Sequence, residues 1–273
     1  MKEIATEQLK SIEISILDYI DKVCRENGIV YSLAYGTLLG AVRHQGFIPW
    51  DDDIDICMDR ENFEKFERKC NDDGNKQYQL LWLDTCETYT LPLAKVVDTT
   101  TILTQNTQNE KMPLGVYVDL FIYDKIPDDE KMRAAYINKL ELYQRFWGYS
   151  QNKYVWKDHS LKSYLRFLVY CLFHLVNPRR FSLKLNKSAQ TSRTTDKPYF
   201  LGPMVFSTRR YKEWFPSSLF DDCSDTDFED KKYPITSQYD IYLRKCFGNY
   251  MELPPIEKRV SNHDFEAYYK SAE

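Results

Sequence analysis

The chain has 273 residues, 43% of them hydrophobic and 29% charged, with a formal net charge of −4. This suits a globular core and excludes collagen-like, coiled-coil and disordered classes. Basic residues number 37 against 41 acids, so no overall charge excess points to nucleic acid. The seven cysteines are scattered without a Cys-x-x-Cys spacing and only four histidines occur. Neither a disulfide framework nor a structural zinc site is indicated, and reduced thiols of a cytoplasmic protein are expected. The first twenty residues lack the basic start and apolar block of a secretory leader.

In chain order, Leu9, Ile12, Ile16, Ile20 and Val23 recur at threes and fours, predicting a helix that Asn27-Gly28 ends. A buried strand is expected over Ile29–Tyr35, then a short helix opened by Gly36-Thr37 and closed at His44-Gln45-Gly46. Alternation over Asp53–Met58 reads as a strand, and Glu61–Cys70 as an amphipathic helix. Further strands are predicted at Tyr78–Leu83, Leu91–Val97 and Gly115–Ile122. Helical patterns follow over Asp128–Trp147, Leu161–Val176 and Ser237–Phe247. The fold class is therefore α+β: a mixed sheet with flanking helices (residues 1–127) and a mostly helical C-terminal region (128–273), read as one integrated domain.

The densest chemical signal is Trp50-Asp51-Asp52-Asp53-Ile54-Asp55. Such a run is a solvated acidic loop unless a cation screens it. Asp53 and Asp55, two apart on an expected strand, project from one face and suit Mg²⁺ or Mn²⁺. A calcium loop fails, because its turn position falls on Ile56 and its bidentate acid position on Asn62. Gly36-Thr37, at a strand-to-helix junction, can cradle a phosphate or simply cap the helix. Asp119 in an apolar strand is the third acid, since a carboxylate there is costly without a metal or partner.

Three blocks carry a family resemblance: YSLAYGTLLGAVRHQGFIPWDDDIDICM (31–58), GVYVDLFIYDKIP (115–127) and YDIYLRKCFGNYMELPP (239–255). They resemble the LicD family of phosphocholine transferases and the related fukutin-type proteins. The resemblance implies a nucleotidyltransferase-type fold in which Gly36 and Thr37 hold phosphate and Asp53, Asp55 and Asp119 are the catalytic, Mg²⁺-binding acids. It implies a CDP-linked donor such as CDP-choline and a glycan acceptor, lipid-linked or not, with CMP released. The place would be the cytoplasm or the inner face of its membrane. Where the family has Phe-Pro-Leu-Asp after the third acid, this chain reads Phe121-Ile122-Tyr123-Asp124.

Other residues carry paired readings. Arg43 and His44 contact a diphosphate or lie exposed. Lys95, a charge in an apolar strand, serves phosphate and acids or a structural ion pair. Arg244 is a donor-phosphate ligand by the resemblance, and the helix-face partner of Asp240 by spacing. Trp50, with Tyr35 and Tyr117 behind it, is the expected aromatic wall for a quaternary ammonium. His263 and Arg259 read as surface residues. The basic, apolar segment 161–187 fits a core helix or a helix resting on an anionic leaflet. Two other functions remain open: transfer of a nucleotide from an NTP, and a non-catalytic partner in glycan assembly.

Overall fold

The computed structural model describes residues 2–105, 114–156, 158–192, 200–207, 209–260 and 265–270. After a short β1 (Lys2–Glu3), helix α1 (Thr6–Asn27) turns Leu9, Ile16, Leu17, Ile20 and Val23 into the core and ends on Gly28 at φ 61°. That left-handed cap costs glycine nothing. Strand β2 (Ser32–Leu33) is shorter than the apolar run suggested. It pairs antiparallel with β3 (Asp55–Asp59), and α2 (Tyr35–His44) lies between them in sequence. Helix α3 (Arg60–Asp72) follows, its first turn capped by the Asp59 carboxylate, which accepts from the Asn62 N–H at 2.8 Å.

Strands β4 (Tyr78–Leu81), β5 (Ala94–Asp98), β6 (Thr101–Gln105) and β7 (Tyr117–Ile126) complete the first half. The main sheet runs β2-β3-β7-β5-β4; β3 and β7 are parallel and the other neighbours antiparallel. The second half holds α4 (Glu130–Gln151), α5 (Leu161–Phe173), α6 (Arg179–Ala189), β8 (Phe200–Gly202), β9 (Phe215–Pro216), β10 (Cys223–Phe228), β11 (Lys231–Thr236), α7 (Tyr239–Phe247) and β12 (Phe265–Tyr269). Its strands were not visible in the apolar pattern. β8 extends the sheet on the far end of β7, and β12 joins β1 and β6 in a second sheet.

The acidic stretch 221–230 forms one arm of the β10–β11 hairpin. There Asp227 faces Lys232 across the strands and Asp225 meets Arg25 of α1. Opposite charges facing across a ladder replace the missing apolar alternation.

A buried ion pair ties α3 to β7. Arg60 donates twice to Asp124 at 2.8 Å, with both side chains almost fully enclosed. The acid after the Phe121-Ile122-Tyr123 departure is therefore structural. All seven cysteines are free thiols. No helix among the described residues is long and apolar enough to cross a membrane.

Candidate active site

The site begins where β3 opens. The Asp55 N–H donates to Thr37 Oγ1 at 2.8 Å, and the Asp55 carbonyl accepts from the Ala34 N–H at 2.9 Å. These bonds stitch the start of α2 to the start of β3. On the other side, the Asp119 N–H donates to the Ile54 carbonyl at 2.9 Å. The register then sets Asp55 beside Asp119 and Asp119 beside Lys95, a row of three charges across β3, β7 and β5. Register partners share a sheet face at about 5 Å spacing, so Asp119 lies against Asp55 on one side and Lys95 on the other.

Lys95 ion-pairs with Asp119, and its ammonium lies 3.4 Å from the centre of the Tyr117 ring. Burial works against that charge, but Asp119 and Tyr117 outweigh it and hold the Lys95 pKa above the ordinary lysine value. Asp55 goes the other way. Burial first, then Asp53, Asp119 and Asp51, push its carboxyl well above the usual carboxylate range, with Lys95 opposing them.

Glu13 is an acid that the sequence reading passed over. It projects from the core face of α1, only 3% exposed, and its Oε2 has no hydrogen-bond partner among the described residues. Burial, followed by the charges of Asp53 and Asp52, raises its pKa well above the normal glutamate value. Its signal was present: Glu13 sits four residues after Leu9 and before Leu17, a charge inside an apolar stripe.

Beside these acids lies a cleft of about 800 Å³. One wall comes from α2 and the acid loop: Tyr35, Gly36, Leu39, Arg43, Trp50, Asp51, Asp53 and Asp55. The other comes from Phe206 to Glu213 and from Cys246 to Val260, including Arg209, Phe247, Tyr250 and Lys258. Arg43 joins the walls by donating to the Tyr250 carbonyl at 2.6 Å. Gly36 lies in close approach to Asp51, so that a Cβ there would displace the carboxylate end of that flexible side chain.

Tyr35 holds φ 41°, left-handed backbone that costs a tyrosine about 1–3 kcal/mol and is kept only where packing enforces it. Its ring meets Phe121 at 4.6 Å, and its hydroxyl reaches Glu213 at 3.5 Å. Glu213 is buried and also accepts from the Ser207 hydroxyl at 2.5 Å. An acid thus sits behind a group of aromatic rings.

Of the residues singled out from sequence, Tyr35, Gly36, Arg43, Trp50, Asp53 and Asp55 line the cleft. Asp119 lies one strand further in, beside Asp55. Asp53 precedes β3, so its closeness to Asp55 comes from the loop and not from strand alternation. Thr37 is buried and holds β3 through its hydroxyl. His44 packs edge-on to Trp50 at 6.3 Å and accepts from Arg43 Nε at 2.9 Å, on the assigned tautomer. Tyr117 lies under the Lys95 ammonium, not in the cleft wall.

Arg244 is not brought to the cleft. It pairs with Asp240 at 2.8 Å on an exposed helix face, as their i, i+4 spacing allows. Arg259, read as a surface residue, instead places its guanidinium 5.5 Å from the Trp50 ring. His263 lies outside the described residues.

No group of three or more histidine, cysteine or acidic side chains among the described residues converges as a ready-made metal site. The donor chemistry nevertheless fits a hard divalent ion. Asp53, Asp55 and Asp119 offer oxygen only, and the adjacent Glu13 oxygen is buried and unsatisfied.

Residues 28–132 match the LicD/FKTN/FKRP nucleotidyltransferase-domain family. Over 274 aligned residues the chain is 30% identical to the lipopolysaccharide cholinephosphotransferase LicD of Haemophilus influenzae, covering 98% of this chain and 99% of that protein. The chain belongs to the LicD family. Shorter similarities link it to uncharacterized proteins of Rickettsia typhi (54% over 43 residues, 16% of this chain and 14% of that one) and Rickettsia prowazekii (40% over 68 residues, 22% and 26%).

In this LicD-family chain the matched domain contains α2, β3, β5 and β7, hence the whole row Asp55, Asp119, Lys95. The facing wall, from Phe206 onward, lies beyond that domain but inside the full-length similarity to the Haemophilus enzyme. The chain is thus homologous to an enzyme across both walls of its cleft.

Proposed function

We propose that the protein transfers phosphocholine, or a closely similar phosphoalcohol, from a CDP-linked donor to a hydroxyl of a cell-surface glycan such as lipopolysaccharide. The observation that carries this reading is the full-length similarity to the Haemophilus cholinephosphotransferase. The cleft supports it, with acids and cations at one end and rings backed by a buried acid at the other.

The acceptor oxygen attacks the phosphorus next to choline. The bond from that phosphorus to the oxygen bridging the two phosphates breaks, CMP leaves, and the hydroxyl proton passes to a base. Arg43, Arg209 and Lys258 are the cleft cations suited to the diphosphate. Tyr35, Phe121 and Phe206 offer ring faces to a quaternary ammonium, and Glu213 supplies the opposing charge. A carboxylate of the acid loop that lines the cleft, Asp51 or Asp53, takes the proton. Mg²⁺ held by Asp53, Asp55 and Asp119 would neutralise charge on the diphosphate and on leaving CMP. Lys95 holds the Asp119 carboxylate in place.

The test is donor binding followed by turnover. CDP-choline, CDP-ethanolamine, CDP-ribitol, CDP-glycerol, CTP and ATP are compared by thermal shift with and without Mg²⁺, then by CMP release onto lipopolysaccharide lacking choline. A ligand that binds only the folded chain raises its melting point by mass action. A Mg²⁺-dependent shift with a CDP-alcohol, and loss of turnover in a folded Asp53→Asn variant, is the expected result. Full activity of Asp53→Asn overturns the assignment of the acids.

The nucleotidyltransferase character of the matched domain favours one second reading, transfer of a nucleotide from an NTP. Pyrophosphate release from CTP or ATP, with no CMP from any CDP-alcohol, selects it.

A further inference from the structure

Helix α5 is built as if one of its sides were not meant for water. Leu161, Leu165, Leu168 and Leu172 follow the spacing i, i+4, i+7, i+11, which sets them on one helix face about 16 Å long. Such a stripe normally marks the face that packs into a core. Here the four leucines are 77%, 56%, 56% and 66% exposed, and Leu175 just beyond the helix is 84% exposed.

The helix is anchored by its other side. Tyr170 and Phe173 pack on Tyr149 at 5.0 and 5.6 Å, and Ser163 is the buried residue of the helix. The sequence allowed a core helix here, and the structure overturns that reading: the apolar face points away from the fold.

We propose that α5 is an interfacial helix that seats the protein on an anionic lipid surface. Charge selects this occupant. Residues 151–190 carry eight lysines and arginines against one acid, in a chain whose net charge is −4. Lys162 and Arg166 are exposed on α5 itself, and Lys153, Arg180 and Lys187 are exposed on the segments that flank it in sequence. A cationic rim around an apolar face is the pattern of a helix lying in the headgroup region, with leucines below and ammonium and guanidinium groups at phosphate level. Exposed Trp156, packed on Tyr164 and Phe167, adds a ring suited to that depth. A second copy of the chain is the poorer occupant, because the same cationic rims would face each other. The inference rests on the transferase reading only where it places a lipid-borne acceptor at this surface.

Cosedimentation of the full chain with vesicles tests it, without donor or acceptor present. The chain is expected to pellet with equimolar phosphatidylcholine and phosphatidylglycerol at low salt, weakly at high salt, and not with phosphatidylcholine alone. Replacing two leucines together, Leu165→Glu and Leu168→Glu, should lower partitioning by ~10-fold or more. Replacing Lys162→Gln and Arg166→Gln should lower it by about tenfold on anionic vesicles. Both residue pairs are exposed, and circular dichroism melts confirm that each variant folds.

No pelleting with anionic vesicles at low salt overturns the inference, as does a leucine variant that pellets like the parent. A concentration-dependent dimer that the leucine variant dissociates would instead assign the face to a second copy. Vesicle binding without any CDP-alcohol shift would keep this inference and remove the transferase reading, and the reverse result would do the opposite.

Discussion

Lys95→Met tests the charge row at its centre. The side chains of Lys95 and Asp119 are 7% and 14% exposed, so removing the ammonium leaves a buried carboxylate next to Asp55 with its neutralising charge gone. Breaking a buried pair from one side costs about 3–5 kcal/mol, because the survivor keeps its desolvation penalty. In a chain of this size that lowers the melting midpoint by about 6–20 °C.

Removing both charges, Lys95→Met with Asp119→Asn, should recover roughly 2 kcal/mol or more. Asp119 and Tyr117 hold the Lys95 pKa above its ordinary value despite burial. The pair's stabilisation is therefore complete below the unfolded lysine pKa of about 10.4 and is lost only as pH rises through the raised folded value. Its contribution should be flat from about pH 6 to 9. If Asp119 also serves a cation, Mg²⁺ should stabilise Lys95→Met more than the parent, since the competing ammonium is gone.

Urea melts of the parent, the single variants and the double variant, with and without MgCl₂, measure each quantity. A Lys95→Met chain that melts within about 1 kcal/mol of the parent refutes the reasoning. Equal Mg²⁺ effects on both would refute the competition.

Other predictions are smaller. Glu13→Gln should melt at a higher temperature than the parent at pH 8: burial raises the native pKa, so the penalty on folding appears above the ordinary glutamate value and persists above the native one. A variant less stable than the parent at pH 8 would show that the carboxylate has a stabilising partner. Asp124→Asn should lose about 3–5 kcal/mol in urea melts by stranding the Arg60 guanidinium between α3 and β7. A loss under about 1 kcal/mol would mean that water already reaches that pair. Gly36→Ala displaces the end of the flexible Asp51 side chain, so stability should change by less than about 1 kcal/mol while CDP-choline binding weakens. Unchanged donor titration would release Gly36 from the site.

Much of the site was legible in the chain because local rules carry it. The helix opening beside Gly36-Thr37 and the isolated acid in the β7 run each follow the period of a single element. The strand expected from Asp53 instead begins at Asp55, and the Thr37 hydroxyl accepts from the Asp55 N–H in place of capping its helix. The placing of Asp55 beside Asp119 is a register between strands 64 residues apart, and no local period encodes it. Lys95 was visible as a misplaced charge with the acids among its expected partners, but which acid it meets was not, since β5 meets β7 only through the sheet. Glu13 was hidden for a related reason: a charge in an apolar stripe announces burial without saying what it is buried against.

The leucines of α5 mark the opposite limit. Their spacing determined a helix with one apolar face, because 3.6 residues per turn leaves no other arrangement. Whether that face meets protein or something else depends on which element packs on it, and only the tertiary structure, which turns it outward, decided the matter. The sequence by itself determined most of the helices, the strands β3, β4, β5 and β7, the cluster of acids at the start of β3 and the family resemblance, since these rest on local geometry and residue identity. The register, the second wall of the cleft and the outward face of α5 were decided by contacts between distant segments, whose free energies are set by packing and not by any single stretch of chain.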